Sequence, residues 1–392
     1  MSDAVIVSAA RTAIGTAYKG SLRNTSAEDL ATTVLEETVR RSGLEPARFD
    51  DVIFAESGYG GGDLARYAAV KAGLTTVSGQ AVNRHCAGSL TAVGNAAANI
   101  MSGMEQAIVA GGVMSASTGP KLSQRVLGTV DEYNDGWMPP THPDRADAPN
   151  RDMSITVGWN TAQSLGLTRE ELDAWAFRSH QRAIVAIDAG KFVDEIVPIK
   201  VEGPDGAIVE FAVDEHPRRG STLEKLASLR VLHPEIEGFN ITAGNSSGIN
   251  DAAAALALTS ADLAASEGLT TMATVRAWAA LGIDPKDTGL GAIRVIPKVL
   301  SRAGIDVADV ALWEINEAFA SVPVGACKEL GIDEELVNFS GSGCSLGHPV
   351  AASGARMLTT LIYELQRRGG GIGVAAMCAG GGQAGAAIIE VR

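Results

Sequence analysis

The chain is poor in positive charge: Lys and Arg total 32 against 46 Asp and Glu, a formal net charge of −14 over 392 residues. That balance argues against nucleic acid or an anionic membrane as a partner, because phosphate-rich surfaces are held by clustered Lys and Arg. Cysteine is scarce too, with four residues and no C-x-x-C pair. Neither a disulfide framework nor a metal site of the zinc type is expected, and a reducing compartment is. No basic segment precedes an apolar run in Met1-Ser2-Asp3-Ala4-Val5, so no secretory or transit peptide is expected and a cytoplasmic location is. The longest uncharged stretch, Gly369 to Ile389, is interrupted by Gly380-Gly381-Gly382-Gln383. It predicts two buried strands joined by a turn rather than a membrane span.

What the chain has in excess is small and apolar. Hydrophobic residues make up 46% and charged residues 20%, and glycine reaches 45 residues, above the usual level of roughly 7%. The length implies two or three packed units, and the glycine implies close backbone approaches and functional loops.

The two ends of the chain repeat each other. Arg41-Ser42-Gly43-Leu44 leads into Asp51-Val52-Ile53-Phe54-Ala55-Glu56, as Arg302-Ala303-Gly304-Ile305 leads into Asp309-Val310-Ala311-Leu312-Trp313-Glu314. Val82-Asn83 recurs as Val337-Asn338 at nearly the same offset. Each unit alternates short apolar runs with helical stretches, which implies an α/β fold with a largely parallel sheet covered by helices. Strands are expected at Ala4 to Ser8, Val52 to Ala55, Ala81 to Asn83 and Ala107 to Val113. Their counterparts are Thr274 to Ala279, Val310 to Glu314, Leu336 to Asn338, Gly373 to Met377 and Ala384 to Val391. Ser26 with Asp29, and Thr168 with Glu171, read as capping boxes. The Ala, Gly, Ser and Asn of Ala87 to Met101 predict a buried helix approached closely by other backbones. From about Ser115 to Gly248 the pattern changes. Pro139, Pro140, Pro143 and Pro149 punctuate a loop ahead of a long helix, Thr168 to Ala189, with Leu172, Trp175, Ala176 and Ser179 on one face.

Four segments carry candidate chemistry. Cys86 lies between a predicted strand and a helix, where the positive helix N-terminus would favour thiolate; a small buried residue in a tight turn fits the same position. His348, in Leu346-Gly347-His348-Pro349, occupies the corresponding junction of the second unit and could serve as a base. Asn316, followed by Glu317, is either an ordinary helix start or an amide that holds water or donates to an oxyanion. Cys378 precedes three glycines whose N–H groups could face a ligand, or is a buried core thiol.

Taken together and in this order, these motifs resemble the thiolases, and the resemblance spans essentially the whole chain. It rests on Asn83-Arg84-x-Cys86, Arg178-Ser179-His180-Gln181-Arg182-Ala183, Thr242 to Asp251, Asn316-Glu317-Ala318-Phe319-Ala320, Gly347-His348-Pro349 and Cys378-Ala379-Gly380-Gly381-Gly382-Gln383. The resemblance implies two duplicated halves, each with a mixed, mostly parallel sheet, layered αβαβα, plus an inserted loop domain. The halves would be 1–118, completed by about 249–270, and 271–392, with the CoA-binding insert at 119–248. It implies an acyltransferase that cleaves 3-ketoacyl-CoA or condenses acyl-CoA units through an acyl-cysteine. Cys86 would be the nucleophile, His348 its base, and Cys378 the group that moves the α-carbon proton. Asn316 would hold a water at the enolate oxygen, and the N–H groups of Cys86 and Gly380 would form the other oxyanion hole. Coenzyme A would enter as substrate, with no tightly bound cofactor and no metal. Arg218 or Arg219 would meet its phosphates within a basic run that includes Lys225 and Arg230, and Ser247 would meet its pantetheine. A homodimer or homotetramer is implied as well.

The sequence also departs from the family pattern. Cys86-Ala87-Gly88-Ser89 replaces Cys-Gly-Ser-Gly, and Gly341-Ser342-Gly343-Cys344-Ser345 adds a third thiol near the site. Asp152-Met153-Ser154 puts a carboxylate where a substrate-side histidine is usual, and Gly289-Leu290-Gly291-Ala292 stands for Gly-x-Gly-Pro. Two rivals share parts of the pattern: a ketoacyl-synthase-like condensing enzyme, which Cys378 disfavours, and a non-catalytic acyl-CoA-binding homologue.

Overall fold

Eleven strands, nine of them in one continuous path, form the main sheet among the residues that the computed structural model describes, 2–59, 62–203 and 205–392. The first half runs β1 (Ala4–Thr12), α1 (Ala27–Ser42), β2 (Asp51–Glu56), α2 (Leu64–Lys71), β3 (Ser78–Val82), α3 (Gly88–Ser102) and β4 (Ala107–Met114). A long insertion carrying α4 (Arg169–Asp188) follows, and β5 (Asn250–Ser260) returns to the same sheet. The second half runs β6 (Ala273–Gly282), α5 (Leu290–Ala303), β7 (Val310–Ile315), α6 (Ser321–Leu330), α7 (Ser353–Arg367), β8 (Gly371–Ala379) and β9 (Gln383–Val391).

The strand order is β7-β8-β9-β6-β1-β5-β4-β2-β3, with the short pairs Gly15–Thr16 and Ile196–Val197 attached. The duplication seen in sequence is present in the pairing. In the first half, β3–β2 and β2–β4 are parallel while β4–β5 and β5–β1 are antiparallel. In the second, β7–β8 is parallel while β8–β9 and β9–β6 are antiparallel. The counterpart of β3 has shrunk: Val337 makes one parallel bridge to Trp313 in place of the strand expected at Leu336 to Asn338. Its start is taken by a 3₁₀ turn at Glu334–Leu336, and Asn338 turns away with φ 52°.

Only Val5↔Thr274 and Ile6↔Ala273 join the halves between β1 and β6, so the sheet folds back and sandwiches α3 and α7. Three hydrophobic clusters mark the layers. One lies under α1 and α2 on the first half, one lies around α3 and α7 between the halves, and one lies under α5 and α6 on the second. Few residue types fit the middle layer. A Cβ on Gly94 of α3 would come within 2.3 Å of the Trp278 ring, so the small composition of this helix is what lets β6 approach.

Helix starts follow their signals in part. Thr168 and Glu171 form the reciprocal capping box. Ser26 caps α1 through Asp29 N–H, but the shorter Asp29 side chain meets the Ser26 hydroxyl (2.7 Å) instead of the cap backbone. The insertion is fixed to β1 by a buried ion group. Arg11 Nε meets Glu195 (2.7 Å), and its two terminal nitrogens meet Asp214 at 2.8 and 2.9 Å. Within the insertion, an antiparallel hairpin of Leu122–Arg125 and Tyr133–Trp137 projects from the body, with Leu127 91% and Val130 88% exposed at its tip. Among the described residues no helix is long and apolar enough to cross a membrane.

Candidate active site

The N-terminal turns of α3 and α7 touch in the middle layer. Ala355 N–H donates to Ser89 Oγ (3.0 Å), and a Cβ on Gly354 would fall 2.6 Å from Leu90. Cys86 sits one turn ahead of α3, and His348 lies five residues ahead of Ser353, the first residue of α7. The backbone before Cys86 is strained: His85 has φ 45°, a left-handed conformation uncommon outside glycine. Asn83 holds it there by accepting His85 N–H on Oδ1 (2.8 Å). Ala87, where the family pattern has glycine, packs its methyl against Gly385, where a Cβ would come within 3.0 Å. The substitution is thus absorbed by a glycine on β9.

Cys86, His348, Cys378 and Gly380 line one cavity of about 320 Å³, together with Met114, Val157, Ser247 and Phe319. The hairpin turn after β8 carries Gly380 over Cys86, and the backbone N–H groups of Gly380 and of Cys86 itself favour its thiolate. Burial nevertheless dominates and pushes the Cys86 thiol up to about 11. The thiolate expected from the helix N-terminus is therefore not the resting form; desolvation outweighs the two N–H groups. Burial first, and Cys86 second, raise Cys378 further. Two protonated sulfurs thus share one cavity.

His348 is 6% exposed, and burial, with Arg356 behind it, lowers its pKa to about 4. It is a neutral imidazole, able to accept a proton. Its Nδ1 lies 2.6 Å from Ser353 Oγ, and the Ser353 hydroxyl donates to Pro349 O (2.9 Å). With that hydroxyl committed as donor, Nδ1 carries the hydrogen and Nε2 keeps the lone pair. The Asn250 amide fixes the backbone here, accepting His348 N–H (3.0 Å) and donating to Gly15 O (3.0 Å). Asn316 Nδ2 lies 3.4 Å from Nε2 and 3.5 Å from Nδ1, facing the ring rather than either lone pair. Its Oδ1 is buried without a protein partner.

Glu317 acts as an internal post. Its carboxylate accepts from Trp175 Nε1 (2.9 Å), Asn338 Nδ2 (2.7 Å), Ser179 Oγ (2.6 Å) and Cys344 N–H (3.0 Å). It therefore clamps α4 and the 338–345 loop behind Asn316 rather than capping α6, whose N-cap is Ala320.

The basic run is divided. Arg218 and Lys225 line a second cavity of about 370 Å³ with His180, His216, Leu229 and Cys344. Arg219 turns outward to Asp188 (2.5 Å). Cys344 is thus buried in the second cavity, not the catalytic one. Ser247 lines the catalytic cavity, its N–H donating to Ala318 O (2.9 Å). Asp152 does not line that cavity. Its carboxylate pairs with His233 Nε2 (2.8 Å) and accepts from Ser154, so the segment presents Arg151 and Met153 instead. Ser353 and Arg151 carried no motif signal, and Asn250 lay within the Thr242 to Asp251 motif without a role assigned to it; only the position of Ser353 at a helix start near His348 hinted at its part. Among the described residues no group of three or more His, Cys, Asp or Glu is placed to hold a metal ion.

Comparison with known proteins gives one family. The profile described as "Thiolase, N-terminal domain" matches residues 4–262, and "Thiolase, C-terminal domain" matches 269–391. The chain is 41% identical to an acetyl-CoA acetyltransferase of Escherichia coli, covering 100% of this chain and 99% of the relative. It is 38% identical to a 3-ketoacyl-CoA thiolase of Bacillus subtilis, covering 100% of both. The crystal structure of a Bacillus anthracis acetyl-CoA acetyltransferase superposes with a TM-score of 0.90 at 37% identity, covering 100% of this chain and 99% of that one.

Proposed function

The chain belongs to the thiolase family and is an acyltransferase, and from that premise we propose how its residues divide the work. The observation that carries the reading is the single cavity that joins Cys86, His348, Cys378 and Gly380. In thiolysis, His348 Nε2 takes the Cys86 proton as the sulfur attacks the 3-keto carbon. The C2–C3 bond breaks, the acyl group stays on Cys86, and Cys378 protonates the departing enolate of acetyl-CoA. Cys378, now a thiolate, takes the proton of the CoA thiol as that sulfur attacks the acyl-cysteine, and protonated His348 returns its proton to the departing Cys86 sulfur. Condensation is the reverse sequence. A thiolate is both a good nucleophile and a good leaving group, which suits a route split through an acyl-enzyme.

The N–H groups of Cys86 and Gly380 form one oxyanion hole, supported by the way both favour negative charge on the sulfur in the resting state. His348 and a water held by Asn316 form the other, supported by the unpaired buried Oδ1 of Asn316. Coenzyme A is a substrate and no tightly bound cofactor is invoked. Its phosphates meet Arg218 and Lys225 in the second cavity, and its pantetheine passes Ser247. Arg219 is the weaker candidate because Asp188 already occupies it. Residues 119–248 form the CoA-binding insert between halves at 1–118, completed by about 249–270, and 271–392. A homodimer or homotetramer is supported by the exposed outer strand β3 and by the apolar tip of the projecting hairpin. A cytoplasmic location is supported by four unpaired thiols, two of which the chemistry uses.

The test separates the two half-reactions. Wild-type protein consumes acetoacetyl-CoA with CoA, and Cys378→Ala still takes an acetyl label on Cys86 from acetyl-CoA. That variant exchanges the α-protons of acetyl-CoA with solvent about 10²–10⁴-fold more slowly. Exchange at the wild-type rate removes the role given to Cys378.

A further inference from the structure

The catalytic cavity has one charged side chain in its lining that the chemistry does not use. Arg151 sits there beside Met153, Val157 and Met114. It also lines an adjoining cleft with Trp137, Met138, Pro140 and Asp144, so this solvent-exposed residue borders both. In a chain with a net charge of −14, an arginine flanked by acids is ordinarily neutralised by them, yet each acid of this loop is engaged elsewhere. Asp144 accepts Asn150 N–H (2.7 Å), Asp147 pairs with Arg145 (3.2 Å), and Asp152 pairs with His233 (2.8 Å). Among the described residues the Arg151 guanidinium has no ion-pair partner, and the lining of the catalytic cavity contains no carboxylate.

On the function proposed above, the pantetheine passes Ser247, and the acyl chain beyond Cys86 extends toward the walls that remain. Those walls are apolar as far as Arg151, where a free planar donor waits. Such a fork matches a carboxylate, which it binds with two parallel hydrogen bonds. Resting on the thiolase reading above, we propose that Arg151 selects 3-oxoacyl-CoA substrates whose acyl chain ends in a carboxylate. The half that stays on Cys86 after C2–C3 cleavage is then an ω-carboxyacyl group, anchored at its far end by Arg151.

The test is thiolysis of a six-carbon 3-oxo-diacid mono-CoA thioester against the neutral 3-oxohexanoyl-CoA, with seven- and eight-carbon pairs bracketing the reach. Wild-type protein favours the carboxylated member of at least one pair by tenfold or more in kcat/KM. In Arg151→Gln that ratio falls roughly 10–100-fold, mainly through KM, as expected for loss of a charged hydrogen-bonded pair. Arg151→Lys keeps part of the ratio. A wild-type ratio near one for every pair, or a ratio that survives R151Q, overturns the proposal while thiolysis of acetoacetyl-CoA stands. Absence of turnover on every 3-oxoacyl-CoA removes the proposed function, and this selectivity with it.

Discussion

Ser353→Ala tests the proton path with one atom removed. The Ser353 oxygen is the acceptor for His348 Nδ1 at 2.6 Å and is itself committed as donor to Pro349 O. Without it, the Nδ1–H tautomer holds a buried, unpaired N–H in a residue that is 6% exposed. Such a group costs about 1–3 kcal/mol, and the cost falls only on the tautomer that leaves Nε2 free to act as base. At about 1.4 kcal/mol per tenfold, the competent tautomer drops by roughly 5–150-fold. Acylation of Cys86 from acetyl-CoA, followed by intact mass in a single turnover, should slow by the same factor. The ring ¹⁵N shifts of His348 should show the proton moving from Nδ1 to Nε2. Burial of the Cys86 thiol, which pushes it up to about 11, makes the measurement sensitive, because little thiolate exists near neutral pH to react without the base. A folded Ser353→Ala protein that acylates within twofold of wild type, or whose ¹⁵N shifts are unchanged, refutes the assignment.

Two further outcomes concern stability. His180, His216 and His348 each have a folded pKa near 4, lowered chiefly by burial. Between about 4 and 6.5 the unfolded chain therefore binds more protons than the folded one, and stability falls as pH drops through that window, by up to about 1.4 kcal/mol per pH unit for each histidine. Urea unfolding midpoints measured from pH 7 to 4.5 check this, and a flat profile contradicts it. Arg11→Met leaves Glu195 and Asp214 buried opposite a neutral side chain and should cost about 3–5 kcal/mol. A urea midpoint unchanged from wild type would show that the ion group does not hold the insertion.

The candidate site was legible because particular residue types stand at element junctions, Cys86 and His348 ahead of paired helices and Cys378 ahead of three glycines, and the fold brings them to one cavity. The duplicated topology was legible in most strands, since short apolar runs mark them, but the central strand β5 was not among those expected and Leu336 to Asn338 shrank to a single bridge. What escaped depended on partners far away in sequence. The approach of Arg11 to Asp214 spans 203 residues and leaves no local pattern. The clamp made by Glu317 joins helix and loop segments that nothing in their spacing connects. Arg219 is as basic as Arg218, but Asp188 sits within its reach on a neighbouring surface. Asp152 looked like a substrate-facing carboxylate, and its occupation by His233, 81 positions on, reverses the charge that reaches the cavity. The ionisation of Cys86 went the same way, because a helix start is visible in sequence and the depth of burial is not.

The salt-linked anchor at Arg11 has a mechanical meaning. It ties the segment that would grip the nucleotide end of the thioester to the first strand of the scaffold, at 2.7–2.9 Å and out of solvent. On the proposed reading, a grip so anchored would keep its place relative to the nucleophile, and an arm of constant length would act as a ruler that delivers every carbonyl carbon to the same spot. Tasting one tail from another would then fall to the opposite wall, where the proline-rich stretch could be rewritten without disturbing the measuring end.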